Sequence, residues 1–140
     1  MPNTPALVGL GMTGLFARDG ASADDRALIE AVVKTTGELV WVATERDLDA
    51  VTALSGSGPA YVFYFLEAMR DAGARMGLPP ETALQLAIGT FVGASTLAQR
   101  STEPPQLLRE RVTSKGGTTY AALTAMEAAG MKASFEVALK

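Results

Sequence analysis

The chain has 140 residues and a formal net charge of −3, which is the size of one ordinary domain, or of one domain with a fragment of another. It contains no Cys and no His, which excludes thiol nucleophiles, disulfides, His-based triads and the usual zinc and copper sites. A mildly acidic chain without a basic run is a poor nucleic-acid binder, because neutralising phosphates requires clustered Lys and Arg.

The first third of the chain predicts two strands around one helix. Residues 11–17 form a short apolar run after a Pro-bounded loop, so we expect a strand there. Ser22 is a good N-cap for a helix that Gly37 would end, and residues 39–43 are β-branched and aromatic, which predicts a second strand. Two strands bury little and are marginal in water. We therefore expect them to be the edge of a larger sheet.

From residue 47 onward the pattern predicts helices alone. Their expected bounds are about 57–76, 81–99, 104–112 and 118–129, with a last helix that starts near residue 132. Pro and Gly set most of these boundaries, since Pro fits the first turn of a helix and Gly ends one. The predicted fold class is mainly α, with a helical domain that follows the edge of an α/β sheet.

Two consecutive helices have no outward polar face. Residues 61–66 are apolar on every side, and residues 82–99 include no charged side chain. The second stretch approaches the length of a membrane span, but its polar residues favour a buried helix. Gly89 and Gly93, four apart, permit close contact between helices. A small domain cannot enclose both helices, so we expect an intertwined homodimer; the alternative is a large monomeric core.

Gly9, Gly11 and Gly14 match the dinucleotide fingerprint G-x-G-x-x-G in spacing alone. That motif requires a strand before it and a helix that begins inside it, so that the pyrophosphate meets the helix N-terminus. Here prolines break the preceding segment, and the following residues predict a strand. We therefore do not expect a dinucleotide site at these glycines.

Residues 113–119 are the most informative stretch. Their two glycines allow a tight turn and a close approach to a ligand, and the free N–H groups of the next helix point to the same place. Lys115 adds a positive charge, and Ser114, Thr118 and Thr119 add hydroxyls. This pattern predicts a site for a small anion such as a carboxylate. An ordinary helix N-cap after a glycine turn is the alternative.

Three blocks together resemble the pyrroline-5-carboxylate reductases in their order and spacing. They are residues 1–6 (Met-Pro-Asn-Thr-Pro-Ala), residues 55–61 (Ser-Gly-Ser-Gly-Pro-Ala-Tyr) and residues 112–119 (Val-Thr-Ser-Lys-Gly-Gly-Thr-Thr). Taken alone, the second block is explained by helix capping and close helix packing. The third block is the most specific of the three.

The resemblance implies NAD(P)H-dependent reduction of 1-pyrroline-5-carboxylate to L-proline, the last step of proline biosynthesis. It implies a cytoplasmic homodimer or a higher oligomer, with no metal, nucleic-acid or membrane partner. Residues 47–140 would form a helical dimerisation and substrate-binding domain, similar to the C-terminal domain of 6-phosphogluconate dehydrogenase. Residues 1–46 would be the end of a Rossmann domain. Because most of that domain is missing here, the fragment alone is expected to be inactive.

The resemblance also implies roles for individual residues. Gly117, Thr118 and Thr119 would hold the substrate carboxylate through backbone N–H groups, and the Thr119 hydroxyl would face the ring nitrogen as the catalytic candidate. The implied substrate-binding residues are Ser114, Lys115, Gly116, Gly117, Thr118 and Thr119.

Pro2 and Asn3 would lie near the nicotinamide of NADP or NAD. The chain departs from the family pattern at Lys115, where Pro is common, and at Pro104, where His is common. Neither change touches the two glycines or Thr119.

Two other functions remain open at this point. The first is a non-enzymatic helical dimerisation module. The second is another reductase with a Rossmann domain and a helical dimer domain, acting on a small hydroxy acid. Enzymes of that kind commonly use a catalytic Lys near the middle of a helix, and the sequence predicts no such Lys.

Overall fold

The computed structural model describes residues 1–140 as two compact units, Met1–Phe65 and Leu66–Lys140. The first unit holds the 3-10 helix Thr4–Val8, β1 (Gly11–Leu15), α1 (Ala23–Val33), β2 (Gly37–Trp41), α2 (Asp47–Val51) and a π-helical turn, Thr52–Gly56. The division falls inside α3 (Gly58–Arg75). The second unit continues with α4 (Pro80–Arg100), α5 (Pro105–Arg111), α6 (Thr118–Ala128) and α7 (Met131–Ala138).

The two strands pair in parallel, with α1 as the connection between them. Their register runs from Gly11 opposite Gly37 to Leu15 opposite Trp41. Parallel neighbours need such a crossover, because a tight turn can join only antiparallel strands. The predicted strands are confirmed, although β2 begins and ends two residues earlier than expected.

The start of α1 follows from its capping residues. Ser22 Oγ accepts from the backbone N–H of Asp25 at 3.1 Å, and the Asp25 carboxylate accepts from the backbone N–H of Ser22 at 3.0 Å. This reciprocal capping box satisfies two N–H groups that the first helical turn leaves unpaired. The hydrogen bond from Ser22 also lowers the pKa of Asp25.

The prediction that Gly37 ends α1 is wrong. The helix ends at Val33, and Gly37 instead opens β2 with φ of +147°. A Cβ at this position would collide with the backbone of Gly11 on the paired strand. The glycine is therefore required by the close approach of two strands and by a backbone conformation that L side chains rarely adopt.

The helices of the second unit confirm the sequence pattern, with boundaries one or two residues from those expected. The start of α4 packs against the end of α3 through Ala83, and Ala83 and Ala87 are both buried. A Cβ added to Gly73 would lie 2.7 Å from the Cβ of Ala83, so this contact depends on two very small side chains. No helix combines the length and the hydropathy needed to cross a bilayer.

The remaining face of α4 is uncovered in the single chain. Leu86, Val92 and Leu97 are 56 %, 62 % and 59 % exposed. A Cβ added to Gly89 or Gly93 would meet no atom within 4 Å, so neither glycine contacts another helix of the chain. The apolar residues of α3 are also exposed, with Phe63 and Tyr64 at 58 % and 70 %. One chain therefore does not enclose the two helices that the sequence predicts to be covered.

Candidate functional site

The candidate site begins with a tight turn at residues 114–117. The backbone N–H of Gly117 donates to the carbonyl of Ser114 at 3.0 Å, which closes a four-residue turn. Gly116 holds the third position with φ of +76°, as a type II turn requires. Lys115 holds the second position, where such turns commonly have Pro. The Lys at this position is thus compatible with the turn and adds a charge.

Gly117 connects this turn to α6. It is the N-cap residue, with extended backbone angles (φ −81°, ψ 175°), and its carbonyl accepts from the N–H of Ala121 at 3.1 Å. A Cβ at Gly117 would lie 2.6 Å from the Ser114 Oγ. The second glycine is therefore needed for space beside Ser114, whereas Gly116 is needed for its backbone conformation.

The first turn of α6 presents unpaired donors. The N-cap provides no side-chain hydrogen bond, and the backbone N–H groups of Thr118, Thr119 and Tyr120 have no acceptor within the chain. Three N–H groups at the positive end of a helix suit an anion. The capping alternative is weakened, because neither Ser114 nor either threonine caps the helix.

The polar side chains around the start of α6 also have no hydrogen-bond or ion-pair partner within the chain. The hydroxyls of Ser114, Thr118 and Thr119 make no hydrogen bond, and the Lys115 ammonium forms no ion pair. By contrast, Lys34 pairs with Glu30, and Lys132 with Glu136. The side chain of Thr119 is half-buried, whereas the other three are exposed. The turn thus combines backbone donors, one cation and three hydroxyls at one place.

Tyr120 belongs to the same helix start and was missed by the sequence analysis. Its N–H is the third free donor, and its side chain lines a cleft of about 150 Å³ beside Arg109, Thr113 and Thr124. The position in the first turn after Gly117 was the available signal, since every residue of a first helical turn has a free N–H.

Pro2 and Asn3 lie in the first unit, beside the 3-10 helix. Pro2 is exposed. The Asn3 Nδ2 donates to the carbonyl of Ser55 at 3.1 Å, and its Oδ1 accepts from the N–H of Met12 at 2.8 Å. The side chain of Asn3 therefore has a structural role within its own unit.

The glycines of the G-x-G-x-x-G match do not form a dinucleotide motif. Gly11 and Gly14 lie within β1, where a strand–turn–helix would be required. Their small size serves packing: an added Cβ would lie 2.9 Å from Ala6 at Gly11 and 2.6 Å from Val51 at Gly14. No group of three or more carboxylates lies close enough together to hold a metal ion.

Comparison with known proteins shows the family. The family model described as pyrroline-5-carboxylate reductase dimerisation matches residues 45–140, more than half of the chain. The chain belongs to this family. The resemblance seen in the three sequence blocks and the mainly α fold class are both confirmed.

Individual relatives agree with this assignment. A pyrroline-5-carboxylate reductase of Pseudomonas aeruginosa is 45 % identical over 139 residues, which are 99 % of this chain and 51 % of that protein. The reductase of Haemophilus influenzae is also 45 % identical, over 100 % of this chain and 52 % of its own length. The chain spans about half the length of the curated relatives it matches.

Solved structures of the family have the same fold. The Coxiella burnetii reductase superposes with a TM-score of 0.95 at 40 % identity, over 99 % of this chain and 52 % of that one. The Plasmodium falciparum reductase, solved with NADP bound, has a TM-score of 0.90 at 33 % identity, over 99 % of this chain and 55 % of that one.

Proposed function

We propose that this chain forms the dimerisation and substrate-binding part of a pyrroline-5-carboxylate reductase, which reduces 1-pyrroline-5-carboxylate to L-proline with NAD(P)H. The observation that carries the proposal is the start of α6, with free N–H groups on Thr118, Thr119 and Tyr120. Family membership supports it. A location in the cytoplasm stays a prediction.

In this proposal the substrate carboxylate lies against the first turn of α6. Hydrogen bonds to a charged group contribute about 1.5–3 kcal/mol each, more than those between neutral groups. The helix dipole adds about 0.3–1 kcal/mol at an exposed site. The Lys115 ammonium, free of other partners, adds to the attraction. Ser114 and Gly116 shape the turn that presents these donors.

Thr119 orients the reacting ring. Its hydroxyl makes no hydrogen bond within the chain, so it is available to the ring nitrogen of a substrate whose carboxylate is held by the adjacent N–H groups. Two attachment points on a five-membered ring fix which carbon faces the hydride donor. Thr119 is therefore the catalytic candidate, in a positioning and hydrogen-bonding role.

The residues of this chain fit one end of a dinucleotide. Pro2 is exposed, and the Asn3 amide retains one N–H beyond the bond to Ser55, so this segment can lie against a nicotinamide. The described residues include no glycine-rich strand–turn–helix unit for the pyrophosphate. When bound, NADP or NAD in its reduced form supplies the hydride.

We also propose that the active form is a homodimer, or a higher oligomer built from it. The uncovered face of α4, with Leu86, Gly89, Val92, Gly93 and Leu97, has no charged residue and no partner in the single chain. Fully burying each large apolar side chain contributes about 1.5–3 kcal/mol. The paired glycines allow close approach of a second helix. We place the start of the helical dimerisation domain at residue 47.

A chimera tests the proposed activity. The part of the Pseudomonas aeruginosa reductase outside the matched region is joined to this chain, and oxidation of NADPH by 1-pyrroline-5-carboxylate is followed. We expect turnover and stoichiometric L-proline. A folded chimera that dimerises but makes no proline would overturn the proposal.

A second candidate is a helical dimerisation module without catalysis, favoured by the same uncovered face of α4. It predicts a dimer and no substrate site at α6. The hydroxy-acid reductase alternative is not favoured, because Lys34, Lys115, Lys132 and Lys140 all lie outside helix centres.

A further inference from the structure

The carbonyl of Ser55 is left without a main-chain donor by the sequence that follows it. Ser55 lies in the π-helical turn that leads into α3. In a continuing helix its partner would be the N–H of the fourth residue on, but that residue is Pro59, which has none. The next N–H, that of Ala60, donates to Ser57 at 3.0 Å. A half-buried carbonyl without a donor is costly, so another partner is needed.

Asn3 provides that partner from the other end of the unit. Its Nδ2 donates to the Ser55 carbonyl at 3.1 Å, across 52 residues of sequence. The same amide accepts the N–H of Met12 through Oδ1 at 2.8 Å, and the main-chain carbonyl of Asn3 accepts the N–H of Ala6 at 3.2 Å. Asn3 thus joins β1 and the π-helical turn through its side chain, and the 3-10 helix through its main chain.

Only a side chain with both a donor and an acceptor at this length can make both bonds. Asp has the same shape and can accept from Met12, but an ionised carboxylate cannot donate to Ser55. Close packing does not explain the two glycines at the end of this turn. A Cβ added to Gly58 would meet nothing within 4 Å, and one added to Gly56 would meet only atoms at ordinary contact distances. The π-helical turn itself is closed by the bond from the N–H of Ser57 to the carbonyl of Thr52 at 2.8 Å, and the bond from Asn3 joins this turn to the N-terminal segment.

We infer that Asn3 is a positioning residue: it fixes the segment that carries Pro2 against the start of α3 by binding the carbonyl that Pro59 leaves free. This inference rests on the proposed function, in which Pro2 lies near the nicotinamide. Asn3 acts through Ser55 on the placement of Pro2, and the reaction does not require a direct bond from its amide to the ligand.

A double-mutant cycle tests the inference with Asn3→Asp and Pro59→Ala. Alanine at residue 59 restores an N–H four residues after Ser55, so it provides the carbonyl with a new donor. In the 140-residue chain we expect Asn3→Asp to lower Tm by about 3–6 °C. The same change in the Pro59→Ala background should lower Tm much less. Thr4→Asp is the matched control, since Thr4 is exposed, makes no side-chain hydrogen bond and gains the same charge.

Kinetics of the chimera separate positioning from stability alone. We expect Asn3→Asp to lower kcat/KM about tenfold, the effect of one lost hydrogen bond. The double variant should keep that loss although its Tm recovers, because the new bond does not hold Pro2. Equal Tm losses in both backgrounds, or activity that recovers together with Tm, would overturn the inference. If even the unmodified chimera were inactive, the proposed function would fail, while the Tm cycle would still decide whether Asn3 holds Ser55.

Discussion

The indole N–H of Trp41 donates to Oε1 of Glu30 at 2.7 Å, which ties β2 to α1. Lys34 binds the other carboxylate oxygen of Glu30 at 3.1 Å, and the Arg26 guanidinium lies 5.3 Å from the centre of the Trp41 ring. The hydrogen bond from Trp41, followed by the bond and charge of Lys34, lowers the pKa of Glu30 below its ordinary value of 4.5.

This arrangement predicts a pH-dependent contribution to stability. Because the folded pKa is lowered, ionised Glu30 stabilises the protein above about pH 4.5, and the contribution is lost as the pH falls through the lower folded value. Glu30→Gln keeps an acceptor for Trp41 but removes the charge. We expect its Tm to lie below that of the parent at pH 7 and to converge with it as the pH falls through the lowered folded pKa of Glu30. A difference in Tm that is constant with pH would contradict this role.

The two glycines of the turn at residues 114–117 should respond differently to alanine. Gly116→Ala places a Cβ in the left-handed region, which costs about 1–2 kcal/mol, although the space is open. Gly117 has ordinary angles, so Gly117→Ala strains no backbone and displaces the Ser114 hydroxyl instead. Urea unfolding should show the larger loss of stability for Gly116→Ala. The reverse order would mean that the turn is not built as described.

The uncovered face of α4 predicts a dimer that one charge can disrupt. Val92→Asp would bury an unpaired carboxylate if this face is an interface, at a cost of about 3–5 kcal/mol. We expect the dissociation constant to rise at least about a hundredfold. Ala27→Asp, an exposed position on α1, is the control. Sedimentation velocity at micromolar concentration measures the dissociation constant of each variant. A parent chain that sediments as a folded monomer would refute the interface.

The 140-residue chain by itself should not bind NADPH tightly. Two of its three closely spaced glycines lie within strand β1 and α1 begins only at Ala23, so the glycines do not form the turn from a strand into a helix N-terminus that receives a pyrophosphate. Calorimetric titration should therefore show no binding in the micromolar range, in contrast to the chimera. Tight binding by the isolated chain would mean that a dinucleotide site exists elsewhere on it.

Local signals explain which parts of the fold could be predicted. Helix starts at Pro80 and Pro105 and the left-handed end at Gly130 depend on residues next to the boundary, so sequence alone located them. Gly37 was misassigned, because a glycine is favoured both at helix ends and where strands approach closely, and only the pairing with Gly11 decides between them.

The candidate site likewise has features that adjacent residues predict and features that depend on residues far apart in sequence. The turn at residues 114–117 and the free N–H groups of α6 follow from adjacent residues, so they could be predicted. The bond between Asn3 and Ser55 spans 52 residues and depends on the missing N–H of Pro59, so no local pattern reveals it. The composition of α4 predicted that another surface covers this helix, since a helix that is apolar on all sides is normally enclosed, and the single chain leaves one face of it exposed.

The most direct test of the account is Thr119→Val in the chimera, with kcat/KM and Tm measured on the same protein. Valine conserves the volume and removes only the hydroxyl, which has no partner within the chain. Losing a hydrogen bond to a polar group in the site costs about 1–3 kcal/mol, or roughly ten- to hundredfold in kcat/KM. Thr124→Val on the same helix is the control, because that hydroxyl binds only the carbonyl of Tyr120. We predict the kinetic loss at Thr119 alone, with Tm nearly unchanged; normal kinetics with a lowered Tm would make Thr119 a structural residue and contradict the proposed site.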